Sequence, residues 1–467
     1  MHFINRTEEL DRLSRIIALG TASFVVIYGR RRTGKTRLLL EWVQKNSGLY
    51  WVADESSPSM QRRYFSEVVS EKIPGFSDVV YPDWRSLFDR LAREAQSLKW
   101  RGPIVIDELP YIAQASPEFP SVLQRFVDHG AKVANLIIAV SGSSQRMMQD
   151  AVLSRSAPLY GRAKEILKLE PMSVRYMAQA LSITDAVAAV EAFSVFGGIP
   201  FYWELAKDRA SDLAHVAEEI ILNPKGSLHD EPSRLLLSEL PSAITLKPML
   251  DAIGFGVARL SEIAARLEQP STSLSRPLVR LQELGFIERE VPFGALERET
   301  KRALYKISDP FLRFWFSAVA PRQSLLAQLT PSQRRSWFKK IIVKVSAYTW
   351  EDLCRTSIPK LAGHLGRQYG SAGRFWHKQG PEWDVVAKEL DGDGHMVGEC
   401  KWFSKAPSPK QVEGVFLELM NKGMPPIKRK SQNPSLYVLF LNRKPAEKAQ
   451  LPANAKIIDC NDILHSL

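Results

Sequence analysis

The residues with the clearest chemistry form the run GRRRTGKT at positions 29–36. A β-branched stretch precedes this run and a helical pattern follows it, a context typical of a phosphate-binding loop. Main-chain N–H groups, the helix N-terminus and the lysine would bind phosphate oxygens, and the threonine hydroxyl would ligate Mg²⁺. The predicted nucleotide contacts are Gly29, Arg30, Arg31, Arg32, Thr33, Gly34, Lys35, Thr36 and Arg37, with Lys35 also catalytic and Thr36 also a metal ligand.

Two further apolar stretches end in polar residues. Residues 103–108 predict a strand beside the phosphate-loop strand, which would carry Asp107 to the Mg²⁺ coordination sphere and Glu108 to the attacking water as general base. Residues 135–140 predict a strand followed by Ser141 and Ser143, either of which could sense the γ-phosphate; a plain strand-end turn is the alternative. Downstream, Arg162 is the preferred candidate, ahead of Arg155, for stabilising transition-state charge, in cis or from a neighbouring subunit; an ordinary surface arginine is the alternative for either.

Several segments together resemble the archaeal-type AAA+/STAND ATPases. Residues 3–10, FINRTEEL, resemble the opening of that family. The GRRRTGKT loop, the IDE strand, the SGSS turn, the PLYGR segment and GGIPFY at 197–202 follow in the family's order. The resemblance covers roughly residues 1–320 and implies an ATP-binding core that uses ATP and Mg²⁺, followed by a small helical lid. It also implies that the opening lies beside the adenine.

Size and charge limit the classes of protein to which the chain can belong. Its 467 residues are 45% hydrophobic and 24% charged, which is enough for several globular domains. The net charge of +12 favours contact with a polyanion such as DNA. The three cysteines show no metal or disulfide spacing, and no apolar run is long enough for a membrane helix. We therefore expect a cytoplasmic protein with no membrane contact.

The pattern of residues 237–308 predicts a winged helix-turn-helix. Two amphipathic helices at 258–267 and 274–284 are followed by apolar stretches at 286–291 and 303–307 that fit the strands of a wing. Such a unit would bind DNA, or would instead pack against the nucleotide domain as a regulatory module. The side chains expected to contact DNA are Ser273, Ser275, Arg276, Arg280, Arg298, Lys301 and Arg302.

The last third of the chain carries a separate group of acids. Asp384 opens one predicted strand, and Glu399 and Lys401 share a face of the next, across a turn at 391–394. Two carboxylates can hold Mg²⁺, and a lysine can orient water or stabilise phosphorane charge. We predict Asp384, Glu399 and Lys401 as catalytic, and Glu351, Asp384 and Glu399 as metal ligands. A solvated hairpin with alternating charges is the alternative.

This hairpin resembles the PD-(D/E)xK restriction-endonuclease-like fold, although Trp383 stands where that motif has proline. The predicted fold class is α/β: a P-loop core at 1–170, a helical lid at 171–236, the winged helix at 237–308, a helical connector at 309–345 and the endonuclease-like domain at 346–467. The predicted function is a Mg²⁺-dependent ATPase acting on DNA, with nuclease activity uncertain. Two alternatives are a nucleotide-gated switch whose C-terminal domain binds without cleaving, and a chaperone-like ring ATPase. A homo-oligomer or a protein partner is also left open.

Overall fold

The computed structural model describes residues 4–207, 212–239, 243–296, 302–377, 380–427 and 434–467. Within it the chain divides into two units, Met1–Pro171 and Met172–Leu467. Over the described ranges, no single helix is long and apolar enough to cross a membrane. The helices Val174–Leu181 and Ala186–Phe196 meet that criterion only as a pair bent by 105°.

The first unit is built on a parallel sheet of strands in the order β2-β3-β4-β1-β5. Its strands are β1 Ser23–Tyr28, β2 Leu49–Val52, β3 Ile104–Asp107, β4 Ile137–Gly142 and β5 Glu165–Lys168. Its helices are α1 Thr7–Ala18, α2 Lys35–Lys45, α3 Pro58–Ser70, α4 Trp84–Ser97, α5 Leu109–Ala115, α6 Phe119–Arg125, α7 Ala131–Val133 and α8 Gln145–Met148. Single π-helical turns occupy Phe126–Gly130 and Gln149–Leu153.

Apolar side chains cover both faces of this sheet. On β1, Phe24 and Val26 join a core with α3, α4 and α6, while Val25 and Ile27 join a second core with α1 and α2. A strand buried on both faces is continuously apolar, as in parallel sheets layered by helices. The predicted parallel, doubly wound core is confirmed in this unit.

One detail of the predicted sheet was wrong. The strand that carries Asp107 does not lie beside the phosphate-loop strand, because β4 lies between β3 and β1. A local pattern identifies each strand, but strand order depends on which crossovers the helices make. The carboxyl ends of parallel strands still share one edge of the sheet, so Asp107 remains close to the loop.

The second unit begins with a bundle of helices. They are α9 Val174–Leu181, α10 Ala186–Phe196, α11 Pro200–Ala206, α12 Leu213–Ala217, α13 Glu231–Glu239, α14 Ala243–Gly254, α15 Leu260–Arg266 and α16 Ser271–Glu283. The strands β6 Ile287–Glu290 and β7 Leu304–Ile307 then form an antiparallel hairpin. The hairpin is followed by α17 Pro310–Phe314, α18 Gln323–Gln328, α19 Pro331–Ser357 and α20 Ala362–Leu365.

A mixed five-stranded sheet closes the unit. Its strands are β8 Gly373–Phe375, β9 Trp383–Lys388, β10 His395–Lys401, β11 Leu436–Leu441 and β12 Ala455–Ile458, in the order β12-β11-β10-β9-β8. The last two helices of the chain are α21 Pro409–Lys422, between β10 and β11, and α22 Cys460–Ser466, after β12. Strand β9 is antiparallel to β10, while β10, β11 and β12 are mutually parallel. The 27-residue helix α19 passes through the domain boundary predicted at 345, and α13 passes through the one predicted at 236.

Candidate functional site

The phosphate-loop motif connects the end of β1 to the start of α2. Gly34 adopts φ 94°, and a Cβ there would meet open space, so the loop presents its main chain directly. Gly29 lies against β5, since a Cβ at this position would come within 2.5 Å of the Leu169 carbonyl oxygen. The Lys35 ammonium donates to the carbonyl oxygens of Gly29 at 2.8 Å and Arg30 at 2.9 Å. These contacts hold the lysine over the loop.

The other predicted loop contacts fall into a buried and an exposed set. Arg30 and Thr33 are buried, and the Thr33 hydroxyl donates to the Arg30 carbonyl oxygen at 2.8 Å. The exposed side chains are those of Arg31, Arg32, Thr36 and Arg37. The buried pair therefore shapes the loop, while the exposed set is accessible to a ligand.

Asp107 accepts four hydrogen bonds and is almost fully buried. Its Oδ2 accepts from the Thr36 hydroxyl at 3.0 Å and from the Tyr50 hydroxyl at 2.5 Å. Its Oδ1 accepts from the Ser141 hydroxyl and from the Glu108 amide, the latter at 2.9 Å. The oxygens of Thr36 and Asp107 are the hard ligands that Mg²⁺ prefers, so these residues fit the ion.

Tyr50 was missed by the sequence analysis. It lies in the middle of β2, and β2 pairs with β3, which places its ring beside Asp107. Burial and then the charge of Asp107 raise the pKa of the Tyr50 phenol, so the hydroxyl keeps its proton and donates it. A tyrosine in an apolar strand gives no local signal of such a role.

Glu108 is held by Ser143. The Ser143 hydroxyl donates to Glu108 Oε1, and its amide donates to Oε2 at 3.1 Å. Glu108 itself adopts the left-handed conformation, with φ 55°, a rare one for a non-glycine residue. The two strand-end serines therefore divide between the two acids, Ser141 on Asp107 and Ser143 on Glu108. Their predicted role as γ-phosphate sensors stays a prediction.

Arg6 supports the loop from the N-terminal segment. Its guanidinium donates to the carbonyl oxygens of Thr33 at 3.0 Å and Glu170 at 2.8 Å, and it pairs with Glu9 at 2.7 Å. The sequence analysis noted this residue only as part of the family opening. In the structure, Arg6 holds the phosphate loop to the N-terminal segment through these hydrogen bonds.

Arg162 contacts other groups of its own unit. Its Nε donates to both Asp128 oxygens, at 2.9 and 3.1 Å, and its Nη1 donates to the carbonyl oxygens of Pro158 and Tyr160. Arg155 is exposed. The role of Arg162 as an arginine finger stays a prediction, and in this conformation the side chain holds its own segment.

The second group of predicted residues lies at one end of the β9–β10 hairpin. Val397 pairs with Val386, so two further steps along the register bring Glu399 opposite Asp384. Asp384 Oδ2 accepts from the Cys400 amide at 2.9 Å. Burial, and then the charge of Glu399, raise the pKa of Asp384. The predicted proximity of these two carboxylates is therefore present.

Glu399 is held between two lysines. Lys401 donates to Glu399 Oε1 at 2.9 Å, and Lys422, at the end of α21, donates to Oε2 at 2.6 Å. Burial alone lowers the pKa of Lys401, but the hydrogen bond and charge of Glu399 outweigh it and the net pKa is raised. Lys401 is thus a cation suited to stabilising charge and not to removing a proton. Lys422 was missed because it lies 23 residues along the chain.

Glu351 lies on α19 and is also near this pair. Burial, followed by the charge of Asp384, raises the pKa of Glu351 to about 7. Across the described ranges, no three His, Cys, Asp or Glu side chains are grouped closely enough to form a metal site. The predicted three-carboxylate metal centre is therefore not assembled in this conformation, although two of its members, Asp384 and Glu399, are adjacent.

The predicted helix pair and hairpin at 258–307 are present as α15, α16, β6 and β7. Leu274, Leu278 and Leu281 bury one face of α16, while Ser273, Ser275 and Arg276 are exposed. Arg280 is half-buried and pairs with Glu283 at 3.4 Å. Arg302 is half-buried, whereas Arg298 and Lys301 lie outside the described residues.

Among the comparisons with known family models, the clearest match is to the N-terminal part of the chain. Residues 3–205 match the model of an ATPase domain found predominantly in Archaea. This part of the chain is therefore similar to an archaeal-type ATPase domain. Residues 315–412 match a model described as archaeal and bacterial proteins of unknown function. The endonuclease likeness of the last third consequently stays a prediction.

The chain is also similar to individual proteins. The chain is 28% identical over 424 residues to protein MJECL04 of Methanocaldococcus jannaschii, covering 90% of this chain and 91% of that one. It is 43% identical over 42 residues to the ATP-binding protein MJ0423 of the same organism, covering 9% of this chain and 71% of the other. The Walker-type ATPase paby2304 of Pyrococcus abyssi aligns with a TM-score of 0.52 at 19% identity, covering 67% of this chain and 96% of its own. That structure supports the fold alone.

Proposed function

We propose that this protein is a Mg²⁺-dependent ATPase that acts on DNA. The observation that carries the ATPase half is the position of Asp107 and Glu108 behind the phosphate loop, with Thr36 in contact with Asp107. Nucleotide binding and hydrolysis are also the functions that the archaeal-type ATPase domain supports.

We assign a proposed role to each of the chain's own residues at this site. Lys35 and the loop amides bind the β- and γ-phosphate oxygens, and Thr36 and Asp107 would hold Mg²⁺, which neutralises charge on the transferred phosphoryl group. Glu108 accepts a proton from the attacking water. Ser143 restrains this carboxylate until the water is in place. Tyr50 and Ser141 keep Asp107 oriented.

The proposal that DNA is the partner is based on the net charge of the chain and on the exposed side chains of helix α16. The chain has a net charge of +12, and α16 exposes Ser273, Ser275 and Arg276 on the side opposite its buried leucines. We propose that α15, α16 and the hairpin β6–β7 act as a winged helix, with α16 entering the major groove. In that position Arg276 would contact bases or phosphates.

The β9–β10 carboxylates support two candidate activities. Metal-dependent cleavage of a phosphodiester would use Asp384 and Glu399 as ligands and Lys401 to stabilise phosphorane charge. A nucleotide-gated switch that binds without cleaving is the second candidate. It is favoured by the two lysines that already neutralise both oxygens of Glu399.

The ATPase and DNA proposals are tested by measuring hydrolysis with and without duplex DNA. Wild type should hydrolyse ATP and bind DNA at about 50 mM salt, where phosphate contacts are strong. Arg276→Glu should weaken DNA binding and leave DNA-free hydrolysis unchanged, with exposed Arg85→Glu as the matched charge control. Absence of DNA binding at this salt concentration would refute the proposal that the protein acts on DNA, but it would not affect the proposal that the protein hydrolyses ATP.

A DNA-cleavage assay distinguishes between the two candidate activities of the β9–β10 carboxylates, the nuclease and the nucleotide-gated switch. Labelled linear, supercoiled and single-stranded DNA are incubated with Mg²⁺ or Mn²⁺, with and without ATP. Cleavage by wild type but not by Asp384→Ala would establish the nuclease. If no DNA substrate is cut while ATP hydrolysis proceeds, the switch is the better description.

A further inference from the structure

The second unit contains a cavity of about 630 Å³ that is separate from the carboxylate pair. The hairpin β6–β7, the helices α17 and α19, and the segment just before β8 line it. Cavities of roughly 300–1,000 Å³ are the size that small-molecule ligands occupy in proteins. The cavity is therefore large enough for a nucleotide.

The centre of its polar wall is Asp352, a carboxylate with three cationic partners. Asp352 accepts from Lys306 Nζ at 2.8 Å, Arg313 Nη1 at 2.6 Å and Arg355 Nη2 at 2.7 Å. These cations come from β7, α17 and α19, so the sites of positive charge are fixed by three separate elements. Lys306 also lies 3.4 Å from Glu288 and 3.9 Å from Glu290, and Arg355 lies 3.7 Å from Glu351. An anionic ligand would therefore share these cations with the carboxylates around them.

The total charge of the wall sets the charge of the ligand. Four cations line the cavity, Arg289, Lys306, Arg313 and Arg355, together with the carboxylates of Glu288, Glu290 and Asp352. The wall therefore carries a net charge of about +1. That balance suits one phosphate monoester or diester and disfavours a triphosphate, which would meet the acids of β6.

The rest of the wall combines apolar side chains with the hydroxyls of Ser308, Thr349, Thr356 and Ser371. Phe193 from α10, Pro310 and Leu353 line the cavity beside the charged groups. A ligand with a flat, weakly polar ring could bury that ring against these side chains while its phosphate meets the arginines. We propose that this cavity binds the phosphate of a nucleoside monophosphate unit, with its base against the apolar wall.

Arg355 connects the cavity to the candidate carboxylates. Its Nη1 donates to the Asp384 carbonyl oxygen at 3.0 Å and lies 3.7 Å from Glu351 Oε2. A phosphate that draws Arg355 away would alter the charge beside Glu351 and Asp384. The same ligand chemistry has two sources, a free nucleoside monophosphate and the 5′-terminal nucleotide of a strand.

Binding is measured in the full chain carrying Lys35→Ala, so that the phosphate loop does not contribute. The probes are AMP and a fluorescein-labelled dinucleotide, the latter with and without a 5′-phosphate. Saturable binding that needs the 5′-phosphate identifies a strand end, and saturable binding of AMP identifies the free nucleotide; either result supports the proposal. Binding of neither probe, or equal binding without the phosphate, would overturn it.

Two variants locate the binding to this cavity. Arg313→Gln should weaken it about tenfold or more, the effect expected for a lost charged hydrogen bond. The exposed Arg322→Gln is the matched control and should change it less than about twofold. Ser371→Trp fills the cavity without removing a charge, so it tests the proposal even if Arg313→Gln unfolds. Unchanged affinity in folded Ser371→Trp would overturn the assignment. Neither ATP hydrolysis nor duplex binding enters this measurement, so the proposed function can fail separately.

Discussion

The two pairs of acids in this protein are held by opposite kinds of partner. Asp107 and Glu108 accept from hydroxyls and main-chain amides, with Thr36, Tyr50, Ser141 and Ser143 as the side-chain donors. Glu399 instead accepts from the ammonium groups of Lys401 and Lys422, while Asp384 beside it has a raised pKa. The first pair is oriented by neutral donors, and the second is partly neutralised.

This difference decides how readily each pair can bind a divalent cation. Hydroxyl donors orient a carboxylate without cancelling its charge, and the Thr36 oxygen can itself ligate a metal while donating to Asp107. An ion pair between Glu399 and a lysine must be loosened before a cation takes its place. We therefore expect a strong Mg²⁺ requirement at the phosphate loop and weak metal binding at the hairpin.

The largest expected effect is that of Glu108→Gln, which distinguishes the role of the Asp107–Glu108 pair from that of the Asp384–Glu399 pair. This substitution removes the proposed general base while keeping the shape of the side chain. It should lower the rate constant for ATP hydrolysis by about 10²–10⁴ and preserve nucleotide binding. Steady-state hydrolysis and equilibrium binding of a fluorescent ATP analogue measure the two quantities. Glu399→Gln is the matched control, and normal hydrolysis by Glu108→Gln would show that the base lies elsewhere.

The second test concerns the neutral donors. Tyr50→Phe removes one hydrogen bond to Asp107 Oδ2 and should raise the Mg²⁺ concentration for half-maximal hydrolysis about tenfold, because a hydrogen bond to an ionised group contributes roughly 1.5–3 kcal/mol. The exposed Tyr160→Phe should leave the Mg²⁺ titration unchanged. An unaltered Mg²⁺ requirement in Tyr50→Phe would mean that the remaining donors orient Asp107 by themselves.

The third test uses the raised pKa of Glu351. Because its pKa of about 7 in the folded protein exceeds the ordinary value of 4.5, its contribution to stability is full below pH 4.5 and is lost as pH rises through 7. The Glu351→Gln variant does not lose this stability as pH rises, because glutamine does not titrate. With EDTA present, it should gain up to about 2 kcal/mol over wild type between pH 5 and 8, allowing for partial exposure. Urea unfolding at both pH values measures this, and a constant difference would contradict the raised pKa.

The smallest expected effect tests the lysine pairing directly. Lys422→Gln removes one ammonium from Glu399 and should cost about 1 kcal/mol of folding free energy in EDTA, as for a partly exposed ion pair. If the lysines oppose metal binding, the variant should bind Mn²⁺ more tightly than wild type. Thermal melts in EDTA and in Mn²⁺ give both quantities, with exposed Lys340→Gln as control. Unchanged or weaker Mn²⁺ binding would show that the lysines do not oppose metal binding at this hairpin.

The ATPase core was the part most readily predicted from the sequence. Its strands are short apolar runs that end in chemically distinctive residues, so Gly34, Lys35, Asp107 and Glu108 could be assigned from position alone. Helices α15 and α16 and the hairpins β6–β7 and β9–β10 were also recognisable, because their periodicities are local. The domain boundaries at 236 and 345 stay predictions, and α13 and α19 continue through these positions without a break.

The partners that remained hidden come from distant elements, and no recognisable motif indicates the contacts that they make. Tyr50, Arg6 and Lys422 reach their sites only because strand order and helix packing bring them there. The sequence by itself determined which residues could do chemistry, because strand ends, loops and short periodicities are local. The tertiary structure alone decided whether each carboxylate meets a hydroxyl, a lysine or another carboxylate. Burial and neighbouring charge depend on contacts between elements far apart in the chain, and they set the pKa of Glu351 and the charge available to a metal.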